Sequence, residues 1–365
     1  MLICAGGTGG GVYPAMTVLK ELGLDKNSVL WVGSRGGMEE TLVMRREIPY
    51  TSIPAAGVHG VGLSRLPGNI WKLLKGVLAS RRILRAFQPD VLLFTGGYVA
   101  FPMAVAAIRK PSLLYVPDIE PGLALKSLAR FADKIALTTE TSSQYFPNKS
   151  KLAATGYPVR PGLREWTREK ALDYFDFDPD LPVLAVAGGS KGARSINTAL
   201  MKILPQLLDD IQVIHLSGHL DWEVVEENAQ SLSAERASRY QPFPYLHEMG
   251  AVLAAADLIV SRAGASVLGE YPLFGLPAIL VPYPYAWRYQ KVNASYLADR
   301  GAAVILRDEN LADKLFDRIQ DLIYDQETLT RMGQAMASLA KPDAASEIAR
   351  MIKEIAKKPD GGAAA

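Results

Sequence analysis

One short pattern occurs twice in this chain, half a chain length apart. The apolar run Leu2–Ala5 leads into a glycine-rich segment that starts at Gly6, and Val183–Ala187 leads into another that starts at Gly188, 182 residues later. A helical pattern follows each segment, from near Pro14 in the first copy. A buried strand, a tight glycine turn and a helix open a doubly wound α/β domain. The repeat therefore predicts two similar domains in the 365 residues.

Apolar runs alternate with helical periodicity through the rest of both halves, as in parallel sheets covered by helices. The predicted strands are Val29–Val32, Val91–Phe94, Ser112–Tyr115 and Lys134–Leu137 in the first half, and Gln212–Leu216, Leu258–Val260, Ala278–Val281 and Ala303–Leu306 in the second. Predicted helices include Met38–Arg46, Gly122–Arg130 and Ala265–Phe274. The fold class is thus α/β, with two Rossmann-like domains.

The best linker is residues 156–162, because its two prolines and two glycines cannot continue a helix or a strand. We therefore assign residues 1–157 to an N-terminal domain and 158–340 to a C-terminal domain. Residues 341–357 hold a last helical pattern, Ala344–Ala356, which we expect to pack back on the N-terminal domain. Residues 358–365 are predicted to be a disordered tail.

Composition limits the function classes. The chain is 49% hydrophobic and 21% charged with a net charge of +2, so it has no overall basic field and no nucleic-acid partner is expected. Its only cysteine, Cys4, cannot form an internal disulfide, which suits a reducing cytoplasm. The four histidines show no metal-ligand spacing. The first residues indicate neither a signal peptide nor a membrane-spanning segment.

The two glycine-rich loops suit phosphate, because glycines after a strand let an anion approach backbone N–H groups at a helix start. A tight turn without a ligand explains a single loop equally well. Neither loop matches the P-loop pattern or the dinucleotide pattern GxGxxG, and no acidic residue ends the second strand of the first half. A dehydrogenase is therefore disfavoured.

Two further segments follow strands in the second half. In Ser261–Glu270, Gly264 and the small residues after it would let a diphosphate lie on free N–H groups, and Glu270 would accept hydrogen bonds from ribose hydroxyls. The alternative is an ordinary helix whose first-turn glutamate is solvated. In Pro282–Asn293, the amides of Gln290 and Asn293 share one helix face and would bind sugar hydroxyls; a surface loop with aromatic packing is the alternative.

These motifs together resemble the MurG family of N-acetylglucosaminyltransferases, which convert lipid I to lipid II in peptidoglycan synthesis. The resemblance runs from Ile3 to about Ile352. It is carried by residues 6–10, Trp31–Gly33 with Met38 and Glu39, Gly96–Val99, Thr155–Arg160, Gly188–Arg194 with Asn197, Ser261–Glu270 with Gly275–Pro277, and Gln290 with Asn293.

The resemblance implies a GT-B glycosyltransferase fold, with two Rossmann-like domains facing a cleft and no required metal or other cofactor. The C-terminal domain would bind the donor, UDP-N-acetylglucosamine, and the N-terminal domain a lipid-linked acceptor at the membrane surface. It places the protein in the cytoplasm, peripheral on the inner face of the cell membrane, in cell-wall synthesis, cell shape and division. The implied reaction is a single inverting displacement, in which helix N-termini and Arg160 stabilise the departing UDP.

Site roles carry over by position in the same resemblance. Leu246 would offer backbone contacts to uracil, and Glu270 would hold the ribose. Gln290 and Asn293 would orient the amino sugar. The residues that would face the diphosphate or the reacting centre are Thr8, Gly9, Gly10, Arg160, Ser190, Ala265, Ser266, Val267, Leu268 and Gly269.

The chain departs from the family pattern at two positions. Members usually have a histidine after the first glycine-rich loop, where this chain has Gly11. They usually have His-Glu-Gln-Asn where this chain has residues 115–118, so Val116 replaces the glutamate often proposed as base. A base must be titratable and within reach of the attacking hydroxyl, and the nearest carboxylates are Asp118 and Glu120. Asp118 is favoured, as a substitute base or a donor-sugar contact; two exposed acids beside a proline turn are the alternative.

Residues 66–85 combine apolar, aromatic and basic side chains at helical spacing. The predicted membrane-facing residues are Ile70, Trp71, Lys72, Leu74, Lys75 and Arg82. Such a face suits an interfacial helix on anionic lipid. The alternative is a helix whose apolar face packs on the core and whose basic face is solvated.

Three functions therefore compete, beside a weaker fourth. The first is the lipid I N-acetylglucosaminyltransferase, and the second is a related transferase with another acceptor, which Gly11 and Val116 keep open. The third is a non-catalytic protein that binds a UDP-sugar. An epimerase of similar fold would need acid and base side chains around the sugar, and the chain supplies few.

Overall fold

The computed structural model describes residues 1–6, 9–57, 66–189, 192–285 and 289–357. Its contacts divide the chain into two domains. The first comprises Met1–Arg160 with the C-terminal segment from Pro342, and the second comprises Pro161–Lys341. The division falls three residues after the boundary that the sequence suggested at residue 157.

The first domain is built on one seven-stranded sheet in the order β3-β2-β1-β4-β5-β6-β7, and every neighbouring pair is parallel. Its strands are β1 (Leu2–Cys4), β2 (Leu30–Gly33), β3 (Tyr50–Ser52), β4 (Leu92–Phe94), β5 (Ser112–Val116), β6 (Lys134–Leu137) and β7 (Leu152–Ala154). The central strands are buried on both faces, which explains their nearly continuous apolar sequence.

Helices connect these strands and cover the sheet. They are α1 (Gly9–Leu22), α2 (Met38–Met44), α3 (Leu66–Phe87), α4 (Ala100–Ala106) and α5 (Leu123–Leu128). The predicted helix start near Pro14 is wrong, because α1 begins at Gly9 and contains Pro14. Glycine has a low helix propensity and proline is common in the first helical turn, so the sequence pattern indicated a start near Pro14.

The second domain holds a six-stranded parallel sheet in the order β10-β9-β8-β11-β12-β13. Its strands are β8 (Val183–Ala187), β9 (Gln212–Leu216), β10 (Tyr240–Phe243), β11 (Leu258–Ser261), β12 (Ala278–Leu280) and β13 (Ala303–Ile305). The helices are α6 (Arg168–Phe175), α7 (Arg194–Leu207), α8 (Trp222–Gln230), α9 (Ala234–Ser238), α10 (Met249–Ala255), α11 (Val267–Phe274), α12 (Tyr289–Ala298), α13 (Leu311–Ile323) and α14 (Gln326–Ala337).

The last helix, α15 (Ala344–Ala356), belongs to the first domain and packs against α1. One face buries Ile348, Ile352 and Ile355. Ser346 Oγ donates to Glu21 Oε1 at 2.8 Å beside this contact. The chain therefore returns to its first domain after completing the second. The predicted tail, residues 358–365, lies outside the described residues.

The sequence missed three strands, β3, β7 and β10, and each lies at a sheet edge. Edge strands pair on one side only, so β3 and β7 are short and partly exposed; β3 has no apolar run, and that of β7 is only three residues long. Strand β10 contains Pro242, which is tolerated at an edge because its missing N–H is not needed by a second neighbour.

In the part of the chain that the structure describes, no helix combines the length and apolar character needed to span a bilayer.

Candidate functional site

Three loops of the second domain converge at one end of its sheet. Strands β8 and β11 are neighbours although six elements separate them in the chain, so the order of connections reverses between them. In doubly wound sheets, ligands bind outside the carboxyl ends of strands at such a switch point. The loops that leave β8, β11 and the adjacent β12 carry the glycine-rich segment, the segment after Ser261 and the segment after Val281.

The loop after β8 requires glycine for two separate reasons. Gly192 has φ +80°, and a Cβ placed on it would lie 2.2 Å from the backbone oxygen of Ser217. Gly189 has φ +85°, where other residues are strained. Gly192 therefore runs close against the segment after β9. Ser190, predicted to face a diphosphate, lies outside the described residues.

The start of α11 differs from the prediction of free amides. The helix begins at Val267, and the N–H groups of Val267 and Leu268 each donate at 3.2 Å to the backbone oxygens of Gly264 and Ala265. Gly269 donates to the oxygen of Ser266 at 3.1 Å. These groups close tight turns, so the prediction that they are free is wrong for all three. They still point along the helix axis, whose N-terminal end carries partial positive charge.

Glu270 lies in the first turn of α11 and is only 8% exposed. The alternative of a solvated glutamate is therefore wrong. Next to it, the hydroxyl of Tyr271 donates to Ser261 Oγ at 2.7 Å, and burial raises the pKa of Tyr271. A buried carboxylate at a helix N-terminus is electrostatically favoured there and suits hydroxyl donors.

The two amides of α12 have different surroundings. Asn293 is fully buried and its Nδ2 donates to the backbone oxygen of Ala263 at 3.1 Å, so it supports the loop after β11 from behind. Gln290 is partly exposed, and its Oε1 accepts from the N–H of Tyr283 at 2.9 Å. Both amides thus shape loops at the switch point. Their contact with a sugar stays a prediction.

Arg262, in the loop after β11, contacts α7, the segment after β12 and the segment after β13. No sequence pattern indicated this role. Its Nη1 lies 2.5 Å from Asp308 Oδ1 and 3.1 Å from the oxygen of Val281, and its Nη2 lies 2.7 Å from Ser195 Oγ. The guanidinium also lies 5.2 Å from the ring centroid of Tyr283. The arginine side chain is 10% exposed, so it mainly holds these segments together inside the domain. Its partners are 46 and 67 residues away in the chain, which explains why no local pattern marks it.

Leu246 lies between two aromatic neighbours after β10. The ring of Tyr245 lies 6.3 Å from that of His219, at 15° to it, and 4.9 Å from that of His247. Leu246 itself is partly exposed. The surroundings suit a flat ring, as the resemblance implies for uracil.

The first domain has its own glycine loop at the switch point between β1 and β4. A Cβ on Gly6 would lie 2.6 Å from Glu39 Oε1, and one on Gly97 would lie 3.0 Å from the oxygen of Gly6. The indole N–H of Trp31 donates to the oxygen of Ala5 at 2.9 Å. Glu39 is fully buried, so loops on both sides hold this turn. Gly9 and Gly10 form the first turn of α1, and Thr8 lies outside the described residues.

Gly11 packs tightly against the segment after β4. A Cβ on it would lie 3.1 Å from the backbone oxygen of Thr95, and Thr95 Oγ1 donates to the oxygen of Gly11 at 2.8 Å. The local packing therefore leaves little room for the histidine that relatives usually carry here.

The two candidate acids follow β5. Val116 ends that strand and is fully buried. Glu120 is 4% exposed, with Lys126 Nζ 3.5 Å from its Oε1, while Asp118 is partly exposed. The alternative of two exposed acids is therefore wrong.

The backbone before Asp118 is fixed by Thr138, whose Oγ1 donates to the oxygens of Val116 at 3.1 Å and Pro117 at 2.8 Å. Tyr115 adds a hydroxyl contact to the same Oγ1 at 2.8 Å. The turn that carries Asp118 is thus held in place from β6.

Arg160, at the end of the first domain, packs over α1. Its guanidinium lies 5.6 Å from the ring centroid of Tyr13, one turn after the first glycine loop. The structure therefore places this cation beside the helix that the loop opens.

Helix α3 exposes most of the predicted membrane face. Ile70, Trp71 and Leu74 are 47%, 60% and 53% exposed, and Leu78 is 57% exposed. Lys72, Lys75 and Arg82 are exposed as well, and Lys75 Nζ lies 5.4 Å from the ring centroid of Trp71. The opposite side buries residues 76, 80 and 84 against the domain. The core-facing alternative is therefore wrong for the exposed apolar residues.

Two parallel-sheet α/β domains with glycine loops at their switch points are the architecture of GT-B glycosyltransferases, and the family matches assign the chain to that class. Residues 1–137 match the N-terminal domain of glycosyltransferase family 28, and residues 183–348 match its C-terminal domain. A relative from Desulforamulus reducens is 36% identical over 365 residues, covering 97% of this chain and 98% of the relative. That relative is named UDP-N-acetylglucosamine–N-acetylmuramyl-(pentapeptide) pyrophosphoryl-undecaprenol N-acetylglucosamine transferase.

Comparisons with solved structures support the same fold. The crystal structure of Acinetobacter baumannii MurG superposes with a TM-score of 0.75 at 25% identity, covering 97% of this chain and 98% of that one. A UDP-GlcNAc 2-epimerase from Neisseria meningitidis shares the fold alone, with a TM-score of 0.64 at 13% identity and coverage of 97% and 99%. The chain belongs to the MurG family, within glycosyltransferase family 28. The family and the fold class predicted from the sequence are confirmed.

Proposed function

We propose that this chain transfers N-acetylglucosamine from UDP-N-acetylglucosamine to lipid I, the undecaprenyl-diphospho-muramoylpentapeptide acceptor, and so forms lipid II for peptidoglycan. The observation that carries the proposal is the buried Glu270 at a helix start beside the glycine loop of the second domain. It offers a carboxylate for ribose next to a backbone surface for a diphosphate. The near full-length likeness to transferases with this printed name supports the substrate pair.

The donor would lie across the loops that leave β8, β11 and β12. Glu270 accepts from the ribose hydroxyls, and the backbone around Leu246 contacts uracil. The helix starts of α7 and α11 face the diphosphate. Gln290 orients the amino sugar, and Asn293 holds the loop at Ala263 from behind.

The reaction would be one inverting displacement. The acceptor hydroxyl oxygen forms a bond to the anomeric carbon while the bond from that carbon to the phosphate oxygen breaks, and UDP leaves with the electron pair. The helix dipoles at the starts of α7 and α11 and the Arg160 guanidinium stabilise the developing negative charge. In this proposal neither a metal nor another cofactor is needed, because these groups supply the positive potential.

Asp118 is the favoured base for the hydroxyl proton. A base has to reach solvent and substrate, and Asp118 is partly exposed at the carboxyl end of the first sheet. Glu120 is buried, and Lys126 Nζ lies 3.5 Å from its Oε1. We therefore assign Glu120 to holding the turn and Asp118 to the proton.

The lipid-linked acceptor would reach the protein at a membrane surface. The exposed face of α3 combines apolar side chains, a tryptophan and lysines, which is the composition of helices that lie in an anionic interface. We propose that the chain acts in the cytoplasm, peripheral on the inner face of the cell membrane, as a lipid-glycosylating enzyme of cell-wall biogenesis on which cell shape and division depend.

A related transferase with another acceptor is the second candidate. One observation favours it: position 11 of the first domain is a glycine packed closely against Thr95, where the family usually has a histidine. The test is to incubate the purified chain with UDP-N-acetylglucosamine and a lipid I analogue. Formation of the disaccharide product is expected. UDP-sugar hydrolysis or transfer only to other acceptors would support the second candidate, and donor binding without any turnover would support a non-catalytic protein.

A further inference from the structure

A buried hydrogen-bond chain crosses the second domain from its edge strand to its glycine loop. The hydroxyl of Tyr240 on β10 lies 2.7 Å from His215 Nδ1, and His215 Nε2 lies 3.0 Å from Asn197 Oδ1. Asn197 Nδ2 donates to Asp221 Oδ2 at 2.9 Å and to the backbone oxygen of Ser217 at 2.8 Å. His215 is fully buried and Asn197 is 1% exposed.

The donor and the acceptor of each hydrogen bond in this network follow from Asp221 at one end of it. Asp221 only accepts, and Arg194 Nε donates to its other oxygen at 2.8 Å, so Asn197 must present its amide nitrogen to Asp221. Asn197 Oδ1 therefore accepts from His215 Nε2–H. His215 Nδ1 then accepts from the hydroxyl of Tyr240. Burial lowers the pKa of His215 to about 3 and raises that of Tyr240, so both groups stay neutral.

The hydrogen-bond network ends at the backbone oxygen of Ser217, against which the glycine loop packs. The backbone oxygen of Ser217, which Asn197 holds, is the one that a Cβ on Gly192 would meet at 2.2 Å. Asn197 also belongs to α7, the helix that the loop opens. A shift of the Ser217 carbonyl would therefore move the loop, and the position of the carbonyl depends on the orientation of one buried amide.

We propose that Asn197 and His215 are positioning residues that set the glycine loop for the donor's diphosphate. His215 fixes the amide of Asn197, and Asn197 fixes the carbonyl against which Gly192 packs. The inference rests on the proposed donor site and adds a specific claim to it: the network governs binding of the diphosphate and leaves binding of the nucleoside unchanged.

The test compares UDP with uridine in full-length variants. Calorimetry measures UDP affinity, and ligand-observed NMR measures the weaker uridine affinity. Asn197→Ala and His215→Leu should each weaken UDP binding at least about fivefold, the effect of one lost hydrogen bond. Uridine affinity should stay within about twofold of wild type, which also shows that the variants are folded. His215→Gln, which can donate and accept, should recover most of the UDP affinity. Asn228→Ala, an exposed amide on α8, is the matched control and should change neither.

Three results would overturn the inference. The first is unchanged UDP affinity in Asn197→Ala and His215→Leu, and the second is an equal loss for UDP and uridine, which marks a merely structural role. The third is failure of His215→Gln to recover UDP binding. If the wild-type chain bound neither UDP nor UDP-N-acetylglucosamine, the proposed function would fall, and the inference with it. Wild-type binding with unaffected variants would remove the inference alone.

Discussion

Asn293 donates from Nδ2 to the backbone oxygen of Ala263 at 3.1 Å, and no part of its side chain is exposed. This contact joins the first turns of α12 to the loop after β11. Asn293→Ala would leave the Ala263 oxygen without this donor inside the protein. We expect the variant to lose about 1–3 kcal/mol of stability and to bind UDP-N-acetylglucosamine more weakly. Urea unfolding and calorimetry measure the two effects, and Asn228→Ala, whose amide is exposed, should show neither.

Glu270→Ala should weaken UDP binding by about 10- to 100-fold, because charge-assisted hydrogen bonds to ribose contribute about 1.5–3 kcal/mol. Glu169→Ala is a suitable control, since Glu169 also lies in a first helical turn but is exposed on α6. Calorimetry with UDP measures both. Equal affinities for the wild type and the Glu270 variant would remove the assignment of Glu270 to ribose.

Substitutions of Asp118 and Glu120 should have different effects on kcat and on stability. Asp118→Asn should lower kcat by about 100-fold or more with little effect on folding, as expected for a general base. Glu120→Gln should lower stability by about 1–3 kcal/mol through its contact with Lys126 and reduce kcat less. Steady-state turnover and thermal melting of both variants check this. A larger kcat loss in the Glu120 variant would reverse the assignment.

The burial of His215 predicts that stability falls in mild acid. Its folded pKa is about 3 and the ordinary value is 6.5, so between these pH values the unfolded chain binds a proton that the folded chain does not. Stability is therefore fully present above the unfolded pKa and decreases as the pH falls below it. From pH 7 to pH 5 this group removes about 2 kcal/mol.

His215→Gln should lose that part of the pH dependence, and His219→Gln, an exposed histidine, should keep it. Urea unfolding of the three proteins at pH 5 and pH 7 measures the difference. An identical pH dependence in His215→Gln and wild type would contradict the assigned burial.

Charge reversal on α3 should abolish lipid binding. The variant Lys72→Glu, Lys75→Glu, Arg82→Glu should no longer co-sediment with anionic vesicles at low salt, because each basic residue near the surface contributes about 1 kcal/mol. A triple variant at exposed basic residues of the second domain, Lys202, Lys314 and Arg318, is the control and should bind as wild type. Unchanged sedimentation of the α3 variant would exclude this helix as the lipid contact.

The sequence predicted the buried strands well because a strand covered on both faces must be apolar along its length. It placed β6 and β9 at their observed bounds. Three of the four edge strands, β3, β7 and β10, were missed because they are short and half-exposed or contain Pro242. The glycine loops and Glu270 were visible because tight turns and helix starts have local patterns.

The side chains that hold the site were less visible. Arg262 and His215 act through partners that the sheet order brings together, and no spacing in the chain marks them. Asn197 was noted in the family resemblance, but its partners were not predicted. For the same reason no sequence pattern indicated that the Asn293 amide donates to the Ala263 oxygen, and its contact with a sugar stays a prediction. A single sequence indicates where a loop ends and a helix starts, but the orientation of a buried amide depends on contacts formed only in the folded domain.

The narrow space between Gly11 and Thr95 limits which side chains position 11 can carry. A single mutation that installed the familiar histidine at position 11 would push its first side-chain carbon against a backbone oxygen 3.1 Å away. At that distance the neighbouring backbone must give by a few tenths of an ångström, so the fit of a histidine depends on whether the segment around Thr95 can shift. Gly11→His alone is therefore expected to lower the stability of the first domain unless a second change near residue 95 makes room.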